Sequence, residues 1–151
     1  MNYEIVNLKE KKVAGLNIRT NNNDPNMNKS IGELWNKFFK EGIFTAIKNK
    51  INDKTIGLYS DYESDYNGDY DMSVGCEISN DEKIPTGTIL KIIPAGNYAK
   101  FVVKGQMQKA VYEFWQKLWQ MNLERAYTCD FEEYINTDID NAEIHIYISL
   151  K

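Results

Sequence analysis

TILKIIPAGNYAKFVVK, residues 88–104, runs directly into GQMQKAVYEFWQKLW, residues 105–119, and reads as a long strand region followed by a helix. Pro94-Ala95-Gly96 interrupts the strand region. In the helical part, Ala110, Val111, Phe114, Trp115, Leu118 and Trp119 recur at the spacing of one apolar helix face. A helix of about 14 residues is expected there. Residues 129–135 and 143–150 read as two further strands, with 136–141 as the polar turn between them.

Upstream, the same order stands once already. Residues 5–20 read as one long strand or a bent pair, with Gly15 permitting a bulge or bend. Residues 21–28 form an Asn-rich loop carrying Asp24-Pro25. Ser30-Ile31-Gly32-Glu33 has the spacing of a capping box. Behind it, Ile31, Leu34, Trp35, Phe38 and Phe39 give an amphipathic helix, and Gly42 supplies a stop. Residues 43–52 fit a short helix or a turn. Residues 55–62 and 72–78 read as strands around an acidic, Tyr-rich stretch, with Asn67-Gly68 as the hairpin turn. Residues 80–87, with Pro85, form a connector.

Each half therefore reads strand, helix, strand, strand. Trp35 and Trp115 hold similar places, as do residues 58–62 and 131–134. The expected fold class is α+β. Duplicated β-α-β-β halves, approximately 1–80 and 86–151, form one domain over 1–151, with a largely antiparallel sheet carrying two main helices. The crevice between such halves is where a small-molecule pocket is expected.

Composition narrows the function. The chain has 151 residues, 42% hydrophobic and 26% charged, enough to bury one core. With 22 acids against 18 bases the net charge is -4, so direct nucleic-acid binding is not expected. The cluster from Lys9 to Lys12 is too short to argue otherwise. No stretch approaches the roughly 20 apolar residues of a membrane span, and no signal-peptide core follows Met1. A soluble cytoplasmic protein is expected. Cys76 and Cys129 are not in a CxxC and read as free, buried thiols.

Several constellations fail on chemistry. The run Asp61–Asp71 invites a calcium reading. With Asp61 in the first position, however, the required Gly falls on Tyr66 and the bidentate Glu on Met72. A solvated hairpin is expected instead. His145 is the only histidine and reads as a structural or exposed strand residue. There is no P-loop and no GxGxxG, and no cofactor or metal is expected. Ten Tyr and three Trp exceed what a core of this size needs, so some should line a recognition surface. In the strand 130–134, alternation puts Asp130, Glu132 and Tyr134 on one face and Phe131, Glu133 and Ile135 on the other. Pattern alone sends Phe131 and Ile135 inward and leaves Glu132 in solvent.

An ordered set of short motifs runs over nearly the whole chain. It comprises Leu34-Trp35, Tyr59-Ser60-Asp61-Tyr62-Glu63-Ser64-Asp65, Gly68-Asp69-Tyr70, Gly75, and Pro94-Ala95-Gly96-Asn97-Tyr98-Ala99. Gly105, Trp115, Arg125-Ala126-Tyr127 and Asp130-Phe131-Glu132-Glu133-Tyr134 complete it. This set resembles the GyrI-like effector-binding domains, the small-molecule-sensing module of multidrug-responsive transcription activators. It looks most like the stand-alone, integron-associated effector-binding proteins. The resemblance implies a duplicated fold and an aromatic-walled pocket between the halves, with a glutamate at its base. It assigns that glutamate to Glu132, with Tyr134 beside it and Tyr147 across from it on the next strand. Trp115 and Trp119 are expected to cover the pocket, and Tyr59 and Trp35 to contribute from the first half.

A carboxylate enclosed by rings is costly when ionised and unpaired, and a lipophilic cation repairs that cost. Each ring face adds cation–π attraction of roughly 0.5–2 kcal/mol. The leading expectation is therefore a non-enzymatic binding and sensing module for hydrophobic, cationic small molecules, linked to transcription regulation or drug sequestration. Because the pattern occupies nearly the whole chain, a DNA-binding domain is not expected beside it. Two alternatives stand. One is a hydrolase of electrophilic small molecules using the same glutamate as base and a tyrosine as acid. The other is a gyrase-inhibitor-like interaction role using the acidic hairpin. A protein partner or a homodimer is left open.

Overall fold

In the computed structural model, which describes residues 1–80 and 83–151, the elements alternate much as the hydrophobic periods require. The first half contributes β1 (Glu4–Leu8), β2 (Lys11–Thr20), α1 (Met27–Lys40), the short α2 (Ile43–Ala46), β3 (Thr55–Ser60) and β4 (Tyr70–Ile78). The second contributes β5 (Ile89–Ile93), β6 (Gly96–Gly105), α3 (Met107–Leu118), β7 (Cys129–Tyr134) and β8 (Ala142–Ser149). The fold is α+β, with an eight-stranded antiparallel sheet in the order β1-β6-β8-β7-β3-β4-β2-β5.

Two very short links dictate the shape of this sheet. Only Lys9 and Glu10 separate β1 from β2, which stand first and seventh in the order. Only Pro94 and Ala95 separate β5 from β6, which stand eighth and second. Six strand spacings in a flat sheet would cover about 29 Å. Two intervening residues reach about 11 Å. The sheet must therefore curl until its two ends meet. Gly15 and Gly75 lie opposite each other on β2 and β4. A Cβ on Gly15 would stand 1.9 Å from the Val74 carbonyl oxygen, and one on Gly75 would stand 2.2 Å from that of Ala14. The bare glycines permit this close backbone approach, and the register runs through them without the expected bulge.

The curled sheet is covered on both faces. Inside the curl, Val13, Ile56, Leu58, Ile93, Tyr98 and Phe131 pack together from strands at both ends and the middle. On the outer face α1 covers β2 and β4 through Leu34 and Phe38, and α3 covers the second half through Phe114 and Leu118. The two central strands β3 and β7, paired from Thr55↔Tyr134 to Ser60↔Cys129, run between the helices.

Some local expectations need correction. Of the two readings of the strand region 5–20, the pair is the one found, and its two strands stand first and seventh in the sheet order instead of side by side. The α1 helix begins at Met27, three residues before the capping-box Ser30, with Asn26 as an N-cap that makes no side-chain bond. Asp24 takes over the capping work: its Oδ1 accepts from the Asn26 amide and its carbonyl from the Met27 amide. Asn67-Gly68 is not a tight hairpin turn; neither residue has a positive φ, and β3 and β4 are joined by a loop over residues 61–69. Gly42 does stop α1, at φ 74°. Of the connector expected at 80–87, residues 81 and 82 lie outside the described residues.

Candidate functional site

Alternation along β7 places Glu132 and Tyr134 on the helix side, between α1 and α3. The carboxylate sits opposite Gly57 on β3. A Cβ on Gly57 would stand 3.0 Å from Glu132 Oε1 and 3.3 Å from both Trp35 Cζ2 and Met72 Cε. The glycine thus makes room for the carboxylate, and that is the physical reason for its place in mid-strand.

Glu132 is 1% exposed. Its Oε2 accepts hydrogen bonds from the Tyr59 hydroxyl at 2.9 Å and the Trp115 indole N–H at 2.8 Å. Its Oε1 accepts from the Tyr134 hydroxyl at 2.7 Å. All three donors are neutral, and no ion pair to Glu132 forms among the described residues. Burial pushes the Glu132 carboxyl above its ordinary value, while the N–H of Trp115 and the hydroxyls of Tyr134 and Tyr59 oppose the rise. Burial, and then the charge of Glu132, hold Tyr59 and Tyr134 far above the ordinary phenol value, so both remain O–H donors.

The rings enclose this carboxylate edge to face. Tyr59 meets Trp115 at 5.1 Å and 67°, and Trp35 meets Tyr134 at 5.1 Å and 81°. Trp35 packs against the cores of both halves, so it closes the gap between them. Two surface hollows lie away from Glu132: one beside α1 near Leu16, Leu34 and Ile89, the other beside α3 near Phe101 and Phe114.

Two residues earlier on the same face stands a second buried carboxylate. Asp130 accepts from Arg125 Nη2 at 2.8 Å, from the Tyr62 hydroxyl at 2.6 Å and from the Ser149 amide at 2.8 Å. The Arg125 guanidinium carbon lies 4.3 Å from the Tyr127 ring centre and 5.9 Å from that of Trp115. Burial pulls the Arg125 pKa down, but the charge and hydrogen bond of Asp130, together with Tyr62 and Tyr127, outweigh it and the net direction is upward. Tyr127 adopts a φ of 55°, a strained value for an aromatic residue.

Of the seven residues expected at the site, the fold brings five together: Glu132, Tyr134, Trp115, Tyr59 and Trp35. Trp119 stands one helical turn beyond Trp115 and stacks on Tyr66 of the 61–69 loop at 6.1 Å, on the rim. Tyr147 is a correction. In the β7–β8 register it pairs with Phe131 while Ile146 pairs with Glu132, so its ring lies on the opposite face. There it stacks on Phe131 at 4.5 Å and 14°. The sequence reading misses Gly57, Arg125 and Asp130 as parts of the site. A glycine inside an otherwise apolar strand was the available signal for the first. Nothing local marks the ion pair.

The 61–69 loop is clasped by the Asn-rich loop. Asn21 Nδ2 donates to Asp69 Oδ1, Asn22 Nδ2 to the Tyr66 carbonyl, and the Tyr70 hydroxyl to Asn22 Oδ1. This clasp holds Tyr66 over Trp119 and Tyr62 against Tyr127 at 5.9 Å. His145 lies on the other face of the sheet, 2.8 Å from Glu143. Among the described residues no cluster of three or more His, Cys, Asp or Glu side chains is placed to hold a metal ion. No helix among them is long and apolar enough to cross a membrane.

Residues 4–150 match the family described as integron-associated effector binding protein. YobU of Bacillus subtilis (strain 168), which carries the name of a transcriptional regulator, is 32% identical over 154 residues, covering 97% of this chain and 96% of that one. An integron cassette protein from the mobile metagenome of Vibrio cholerae superposes with a TM-score of 0.73 at 30% identity, covering 97% of this chain and 95% of that one. SAV2435, in a structure bound to tetraphenylphosphonium, superposes with a TM-score of 0.81 at 19% identity, over 100% of this chain and 94% of the other. At that identity the likeness is one of fold.

Proposed function

Because the chain belongs to the integron-associated effector binding proteins, within the GyrI-like effector-binding domains, we propose that it binds and senses lipophilic organic cations at Glu132. The observation that carries this reading is the state of that carboxylate. It is buried, it is held by three neutral donors, and it has no cationic partner among the described residues. An ionised carboxylate in such a place is poorly solvated, and the free energy to be recovered by a permanent cation is correspondingly large.

Each side chain then has a task. Glu132 is the counter-ion. Tyr59, Tyr134 and Trp115 hold its oxygens and offer ring faces and edges to an apolar cation. Trp35 forms the wall shared by the two halves, and Trp119 with Tyr66 forms the rim. Few directional contacts are available to the ligand, so selection rests on charge, flatness and apolar bulk. SAV2435 with its tetraphenylphosphonium supports this ligand class by analogy of fold. The name of YobU supports a link to transcription regulation, through sensing or sequestration of the ligand.

The test is thermal unfolding of the wild type and Glu132→Gln against a panel of lipophilic cations with neutral isosteres as controls. A ligand at 100 times its Kd should stabilise the native state by roughly 2.7 kcal/mol. Stabilisation by the cations alone, lost in Glu132→Gln, is the expected result. Equal stabilisation of both proteins would sink the counter-ion role.

A further inference from the structure

Asp130 and Glu132 point to the same side of β7, yet one already holds a cation and the other does not. The Arg125 guanidinium occupies the cage around Asp130, bonded to its carboxylate and laid over the Tyr127 ring. Trp115 serves both cages: its ring lies 5.9 Å from the Arg125 guanidinium carbon, and its N–H reaches Glu132 at 2.8 Å. One indole is thus the partition between a fixed positive charge and the free carboxylate. Arg125 is 6% exposed and its Nε has no partner among the described residues, so its charge is poorly screened by water.

We propose that Arg125 is a specificity-determining residue that restricts the Glu132 site to ligands carrying a single positive charge. This rests on the cation reading of Glu132. The two carboxylates and the guanidinium sum to one negative charge, which one cationic centre neutralises. A second cationic centre, carried a few bonds away, would lie beside Arg125 with only the indole between them. It would meet repulsion in place of a second counter-ion. Without Arg125, Asp130 becomes that second counter-ion, in a cage already shaped for a cation by Tyr62 and Tyr127.

The test is calorimetric titration at pH 8 with two probes: tetraphenylphosphonium, and a dication of two triphenylphosphonium groups joined by a four-carbon chain. The quantity read is the ratio of dication to monocation affinity. Arg125→Gln should raise this ratio at least about tenfold, as removal of one charge at close range in a poorly screened site requires. Arg125→Lys and the double change Arg125→Gln with Asp130→Asn keep the charge sum and should stay near the wild-type ratio. Asp130→Asn alone should move the ratio the opposite way. It keeps the test open if circular dichroism shows Arg125→Gln unfolded. An unchanged ratio across the folded variants overturns the proposal. Monocation binding that is absent, or indifferent to Glu132→Gln, overturns the parent reading instead, whatever the ratios do.

Discussion

The two faces of β7 carry alternate residues of one short strand, but they are different materials. Inside the curl, Phe131 stacks on Tyr147 at 4.5 Å and meets Tyr98 edge-on at 5.9 Å. There Phe131 is buried, and its ring contacts stabilise the fold directly. On the helix side, Tyr134, Tyr59 and Trp115 turn their polar tips inward onto Glu132. There the rings surround a group that opposes folding when ionised. The same residue types therefore serve cohesion on one face and containment of a charge on the other. What separates them is only whether their O–H and N–H groups converge on a carboxylate.

The strongest way to break this contrast is Phe131→Ala. It should cost about 3–5 kcal/mol in urea unfolding, as loss of a buried ring does, while leaving the preference for cations over neutral isosteres intact. Trp115→Phe comes next. It keeps most of the ring but removes one of the two donors to Glu132 Oε2, and should cost about 1–3 kcal/mol at neutral pH. A smaller and continuous effect should appear with pH. Glu132 titrates above its ordinary value of 4.5 in the folded chain, so the unfolded chain ionises first as pH rises. The stability this residue contributes is whole below that value and is lost as pH climbs through the folded-state pKa. The unfolding free energy of wild type relative to Glu132→Gln should therefore fall with pH, by at most about 1.4 kcal/mol per pH unit. Cation affinity should rise over the same interval, because only the ionised carboxylate is a counter-ion. The smallest effect is expected from Tyr147→Phe. It removes a hydroxyl from a half-buried ring on the Phe131 face and should change stability by less than about 0.5 kcal/mol and cation affinity not at all. A marked loss of affinity there would mean that the two faces communicate.

The element order was legible because it rests on local signals. The apolar spacing around Trp35 and Trp115 marks both main helices, and Gly42 and Pro94 mark real breaks. The site was legible only in part, and the reason is register. Which residue faces Glu132 across a strand pair depends on where the strands align, and a one-residue offset sends a ring to the other face. Tyr147 was misplaced in just this way, while Tyr59, whose strand lies on the other side of β7, was not. The burial of Glu132 lies beyond any alternation rule, because α1 and α3 cover the face that the rule leaves to solvent, while Glu133 on the other face is only half-buried. Arg125 lies outside every strand and reaches Asp130 through a loop held by the strained Tyr127, which no periodicity reports.

The curl also has a consequence in time. The residues of β1 pair only with β6, Glu4 lying against Lys100. At a ribosomal pace of 5–20 residues per second, β1 leaves synthesis on the order of 5–20 s before its partner exists. Through that interval its two open edges, bearing Ile5 and Val6, are available to any neighbouring chain. The brevity of β1 and its flanking Glu4, Lys9 and Glu10 limit what such an encounter can build. Neither half can close its sheet alone, since β1 of the first half completes the second and β5 of the second completes the first. Folding is thereby deferred until nearly the whole chain has emerged, and severed halves should assemble only as a pair.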